Sequence, residues 1–186
     1  PMTAPNVGNP THPAVTNQMR LPRTAALGPG RGGQQRLLID APAGAAEIYL
    51  HGATVTSWVP RGASEVIFTS RQAVFDGATA IRGGIPLCLP EFGVGINGDA
   101  VPRHGWARIA PWRLLTVTAT DGGGVRALLS VSRDRLTALY EVEVGETLRL
   151  GLSLRNEGTE PRTVEAAAHT YLSVHDVTAS RISGLA

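Results

Sequence analysis

The 186-residue chain has one cysteine, Cys88, which excludes an intramolecular disulfide. Flanked by Leu87 and Leu89, it reads as a packed small hydrophobe in preference to a nucleophile. No uninterrupted apolar run approaches the roughly 18 residues that a membrane-spanning helix needs. The 17 basic and 15 acidic side chains leave a formal net charge of +2. No basic run is long enough to follow a phosphate backbone, so neither nucleic acid nor a membrane is an expected partner. No charged head followed by an apolar stretch opens the chain, so no signal peptide is expected and the plain expectation is a cytoplasmic protein. A sustained 3.6-residue apolar stripe is also missing, which leaves the strand as the main element.

What is present divides at one compositional boundary. Residues 1–33 hold Pro1, Pro5, Pro10, Pro13, Pro22 and Pro29 and the cluster GPGRGG from Gly28 to Gly33. Such a segment buries too little apolar surface to offset its ordering entropy, so a disordered tail is expected there. Residues 34–186 are expected to form one domain, for which an apolar fraction of 42% is ordinary.

From Gln35 onward the period is two. Leu148, Leu150, Leu152 and Leu154 alternate with Arg149, Gly151, Ser153 and Arg155, which predicts a strand with a buried leucine face. WRLLTVTAT (112–120) and VRALLSVSR (125–133) flank Asp121–Gly124, whose glycines suit a hairpin turn. That triple glycine lacks the following Lys-Ser or Lys-Thr of a phosphate cradle. LTALYEVEV (136–144), TVEAAAHTYLSV (163–174) and a pair around Gly52 add further strands. The class is therefore all-β, an antiparallel sandwich or barrel.

Two stretches carry more chemistry than a structural loop needs: AIRGGIPLCLPEFG (80–93) and HGWAR (104–108). Gly83 and Gly84 allow close backbone approach, Pro86 and Pro90 stiffen the chain beyond them, and Arg82 and Arg108 offer planar donor forks. The forks suit a phosphate or carboxylate on a small molecule, or they pair with local acids such as Glu91 and Asp99. In EAAAHTYLSV, Glu165, Ala167, His169, Tyr171 and Ser173 share one strand face. His169 and His104 are either hydrogen-bonded within the sheet or poised to pass protons near neutral pH. His12 and His51 read as bystanders. No ligand pattern fits His104, His169 and His175, so no metal is expected. Trp58, Trp106 and Trp112 signify core, with Trp106 also able to line a sugar pocket. Glu91 lies where it could touch a ligand, and Asp176 reads as the holder of a turn.

The order RGGIP, then P-x-FG, then HGWAR, then AHTYLSVHDV resembles the aldose 1-epimerase superfamily, and within it the glucose-6-phosphate 1-epimerase (hexose-6-phosphate mutarotase) branch, over about residue 36 to the end. The resemblance implies a galactose-mutarotase-like β-supersandwich that holds the sugar on the concave face of a sheet, with no metal or organic cofactor. It places Arg82 and Arg108 at the phosphate, His104 at the first histidine of the sugar site, and His169 at the general acid. Trp106 and Glu91 are carried over as substrate-binding. The family's base is a glutamate late in the chain, and it matches no residue here; neither does an aspartate that lines the site. The expectation is a C-terminally incomplete sandwich lacking its last strands, acting as a monomer on a small phosphosugar. A non-catalytic carbohydrate-binding module and a mutarotase for unphosphorylated sugar stand as alternatives.

Overall fold

Alternating apolar and polar side chains become strands that run antiparallel to one another in every named pair of this computed structural model, which describes residues 19–184. In chain order they are β1 (Ala25–Pro29), β2 (Gln35–Ala41), β3 (Gly44–Tyr49), β4 (Thr54–Pro60), β5 (Leu87–Cys88), β6 (Arg113–Ala119), β7 (Val125–Arg133), β8 (Leu136–Val144), β9 (Leu148–Asn156) and β10 (Ala167–Ala168). One sheet has the order β1-β2-β3-β4, a second β6-β7-β8-β9, and β5 pairs with β10. The expected all-β antiparallel class is what the chain adopts.

Register explains the core. Val125 faces Val144, Ala127 faces Val142, Leu129 faces Tyr140 and Val131 faces Ala138 across β7 and β8. With a period of two, these pairs all fall on one face. That face is buried against Leu37, Ile39, Ile48 and Val55 of the first sheet, in a single apolar cluster. Two hydrogen bonds tie the sheets at their edge: the Ala43 amide donates to the Gly123 carbonyl at 3.0 Å, and Trp58 Nε1 donates to the Gly145 carbonyl at 3.2 Å. Asp121–Gly124 makes the expected turn, with Gly123 at φ 76°. Among the described residues no helix is long and apolar enough to cross a membrane.

The structure departs from the sequence reading at three places, one being the expected strand 163–174, of which only Ala167–Ala168 is a named strand. Order begins before residue 34, because Ala25–Pro29 pairs with β2 from Ala25↔Ile39 to Pro29↔Gln35. An edge strand is held by its backbone groups, so low apolar content does not prevent pairing, and Pro22 and Pro29 leave a proline-free stretch between them to supply amides. Residues 1–18 of the expected tail lie outside the described residues. The leucine face of β9 is also less covered than expected: Leu148, Leu150 and Leu152 are half-buried and Leu154 is 39% exposed. β9 stands at the edge of its sheet.

Leu129 has no exposed surface and sits mid-strand opposite Tyr140. Leu129→Ala is expected to cost about 2–5 kcal/mol, through lost burial plus the cavity it leaves. Urea unfolding reads this as a lower midpoint at unchanged slope; a loss under about 0.5 kcal/mol, the range of surface substitutions, contradicts the packing described.

Candidate functional site

The RGGIP stretch is laid against β4 and the 68–70 segment by its own backbone. The Gly84 amide donates to the Phe68 carbonyl at 2.8 Å and the Ile85 amide to the Val55 carbonyl at 2.9 Å, while the Arg82 carbonyl accepts from the Ser70 amide at 3.0 Å. Gly84 has φ 73°, and a Cβ there would lie 2.5 Å from the Val55 carbonyl oxygen. Only glycine permits this contact. Ile85 is buried beneath the stretch while Arg82 projects exposed from it.

The HGWAR stretch crosses the chain at Leu89. A Cβ on Gly105, at φ 70°, would lie 2.1 Å from the Leu89 carbonyl oxygen, and that oxygen accepts the Ala107 amide at 3.0 Å. The crossing delivers Arg108 on a 3-10 turn, Ala107–Ile109. Arg108 Nη2 donates to the Arg103 carbonyl at 2.8 Å, while its Nε is buried with no protein partner. Among the described residues neither Arg82 nor Arg108 belongs to an ion pair; the paired arginines are Arg36, Arg126 and Arg133. The alternative in which the two forks pair with Glu91 and Asp99 is therefore not what the structure shows.

Residues 165–173 run antiparallel beside 84–90 and then beside 66–68. The Glu165 amide donates to the Pro90 carbonyl at 2.8 Å, His169 to Pro86 at 3.0 Å, Tyr171 to Gly84 at 3.0 Å and Ser173 to Val66 at 2.8 Å. His169 and Tyr171 consequently share a face, as the alternation predicts, with rings stacked at 5.0 Å. The His104 ring stands edge-on to His169 at 5.9 Å, and Phe92 lies 5.2 Å from His104 and 6.4 Å from His169.

Arg82, Arg108, Tyr171, Pro86, Thr79 and Gln72 help line one cleft of about 500 Å³. The site thus gathers Arg82, Arg108 and Tyr171 at the cleft, His169 stacked on Tyr171, and the His104–Phe92 pair, with Arg108 close enough to His104 to oppose its protonation. Two donor forks can hold an anion, and two imidazoles beside them can hold or move protons. The Thr79 side of the cleft is pinned by Asp76, whose Oδ1 accepts the Ala78 and Thr79 amides at 2.8 and 2.7 Å. Those amides hold its carboxyl well below the usual range, at about 2. His51, read from sequence as a bystander, is buried with Nε2 2.9 Å from the Thr79 carbonyl and braces the same segment. Burial, then the Arg108 guanidinium, then His169 and Arg103 depress the proton affinity of His104.

Two carried-over residues fall elsewhere. Trp106 is 5% exposed and packs in the core cluster, so it supports the site from beneath and does not line it. Its ring was free to serve either role by sequence; the Gly105 crossing turns it inward. Glu91 lines a neighbouring depression with Asp99, Glu165 and Arg162, apart from the arginine cleft. Phe92 was missed: an aromatic inside a glycine-rich loop was the available signal. Asp176 does hold its turn, accepting the Thr178 amide at 2.8 Å, and Cys88 is buried as expected. His12 lies outside the described residues. Among the described residues no group of three His, Cys, Asp or Glu side chains is set to hold a metal ion.

The family described as "Aldose 1-epimerase" matches residues 35–186. An Escherichia coli (strain K12) protein named "Putative glucose-6-phosphate 1-epimerase" is 32% identical over 158 residues, covering 80% of this chain and 52% of that protein. A Cenchrus ciliaris protein of the same name is 35% identical over 157 residues, covering 75% of this chain and 47% of that one. The crystal structure of a "putative mutarotase" from Salmonella typhimurium superposes with a TM-score of 0.75 at 28% identity, over 85% of this chain and 54% of that one. The chain spans about half the length of the relatives it matches.

His104 gives the site a pH signature. Its folded-state proton affinity is lowered, so as pH falls below about 6.5 the unfolded chain takes up the proton first. Stability then falls with acidification until the pH passes below the depressed folded value as well. Thermal unfolding of wild type and His104→Gln between neutral pH and about pH 5 is expected to show a shallower fall in the variant. A fall equally steep in both removes His104 from this role.

Proposed function

The chain belongs to the aldose 1-epimerase family, and from that premise we propose that it takes part in interconverting the α and β anomers of a hexose 6-phosphate. The observation that supports this reading is the pairing of Arg82 and Arg108 on one cleft, with no acid in ion-pair contact among the described residues. A 6-phosphate held by the two forks leaves the pyranose ring to extend past Tyr171 toward the histidines. The phosphate end does no chemistry; it converts binding energy into orientation of the reacting end.

In mutarotation the O1 hydroxyl loses its proton while the ring oxygen O5 gains one, which opens the ring to the aldehyde. Rotation about C1–C2 and reclosure on the other carbonyl face reverse both transfers. His169 is the group we assign to deliver the proton to O5, because its ring stands between the cleft-lining Tyr171 and His104. His104 serves as its partner on the sugar. The resemblance assigns the O1 proton to a glutamate that matches no residue of this chain, so the assignment covers the phosphate and acid parts of the site. Phe92, within 6.4 Å of both histidine rings, supplies an apolar wall for pyranose C–H groups. No cofactor is needed for this chemistry.

Calorimetry of glucose 6-phosphate against glucose tests the phosphate assignment. Arg82→Ala is expected to weaken glucose 6-phosphate roughly tenfold to hundredfold, the loss of one charge-assisted pair, and to leave glucose unchanged. Equal effects on both sugars contradict it. NMR of freshly dissolved α-glucose 6-phosphate then tests the acid assignment: whatever acceleration of anomer exchange the chain gives without the family's glutamate should be lost in His169→Asn while phosphosugar binding is kept, and acceleration undiminished in that variant contradicts the role given to His169.

A further inference from the structure

We propose that His104 is locked as the neutral imidazole tautomer protonated on Nε2, and that it works on the sugar as a fixed hydrogen-bond donor and not as a proton acceptor. The proposal rests on what surrounds the other nitrogen. The Gly93 amide approaches Nδ1 at 3.2 Å. An amide N–H can only donate, so Nδ1 must present its lone pair, and in a neutral imidazole the proton then resides on Nε2. Cys88 Sγ lies 3.5 Å from the same nitrogen. Burial pushes the Cys88 thiol up, so at neutral pH it remains S–H, a second group that gives toward Nδ1.

The main chain enforces the same result. The His104 amide donates to the Gly93 carbonyl at 2.7 Å, and the His104 carbonyl accepts the Leu89 amide at 3.2 Å. Gly93 and His104 thus exchange two hydrogen bonds, amide to carbonyl in one direction and amide to ring in the other. His104 has φ 64°, a left-handed conformation that costs a non-glycine residue about 1 kcal/mol or more. Folding the ring back onto the Gly93 amide is what that conformation accomplishes. An imidazolium would set an N–H against the Gly93 N–H, beside the Arg108 and Arg103 guanidinium groups that already oppose positive charge here.

Nε2 has no hydrogen-bond partner among the described residues. It is left as a donor aimed by a ring that cannot flip without breaking the Gly93 contact. His169 differs: its backbone amide is held by Pro86, and neither of its ring nitrogens is hydrogen-bonded among the described residues. One histidine is a rigid donor, and the ring of the other is committed to no hydrogen-bond partner among the described residues. The tautomer stands first on the Gly93 amide contact; its use on a sugar oxygen rests on the function proposed above. Gly93 and Cys88 are then positioning groups for His104.

A long-range proton–nitrogen NMR spectrum of the full 15N-labelled chain reads the tautomer directly. The His104 signals are assigned by their loss in His104→Gln and, independently, by through-space contacts to the Phe92 and His169 rings. The expected result at neutral pH is a single neutral form with Nε2 protonated and Nδ1 bare. An Nδ1–H form, an average of both tautomers, or an imidazolium at neutral pH overturns the proposal. Glucose 6-phosphate is then added. A shift of the Nε2 resonance with the Nδ1 pattern kept supports the donor role, whereas binding seen at the arginine side chains with Nε2 unmoved overturns it. If the sugar phosphate does not bind at all, the functional reading fails while the lock is decided by the first spectrum.

Discussion

The site depends on one ladder of main-chain hydrogen bonds, the one joining residues 84–90 to 165–171. Arg82 and His104 belong to segments docked at either end of that first stretch, and His169 and Tyr171 belong to the second. Without the ladder, the anion-binding groups and the proton-passing group would be on separate pieces of chain. The bonds involve only backbone atoms, so their geometry is insensitive to which side chains the strand carries. Side chains are therefore free to be chosen for chemistry: a histidine and a tyrosine point to one side because alternation in an extended strand leaves them no other choice.

The sequence read well wherever one physical rule acted alone. Alternation placed β6 through β9 and the Asp121–Gly124 turn, because a sheet with one buried face leaves a direct imprint of period two. Alternation also put His169 and Tyr171 on the same face. The forks Arg82 and Arg108 were legible as a pair because glycine and proline around them leave few plain structural reasons for such a composition. Less legible were features decided by a long-range approach. Trp106 could face core or cleft, and the choice is made by the crossing of Gly105 over the Leu89 carbonyl, a contact between residues far apart in strand geometry. Phe92 gains its place from a loop closing over two histidines, which no local pattern announces. β1 escaped notice because its partner is set by backbone pairing, and composition reports only on side chains.

Rigidity is distributed unevenly across the site, in a way that matches its chemistry. The Thr79 side of the cleft is fastened by Asp76 and His51, both acting on Thr79. The His104 backbone is fastened on both sides. His169 is fastened through its backbone alone and leans on Tyr171 by stacking. Preorganised donors lower the reorganisation needed when charge develops, whereas a group that must gain and lose a proton benefits from a ring not committed to one partner.

β1 is an edge strand, and it shields the flank of β2 from Gln35 to Ile39. A chain trimmed to begin at residue 34, where composition marks the boundary, would remove that cover. The row of amides and carbonyls on β2 would then stand open beside the partly exposed Leu38, a template on which another molecule could add a strand. β1 is thus also a cover over a pairing edge, and its removal is expected to promote self-association for a reason unrelated to the cleft.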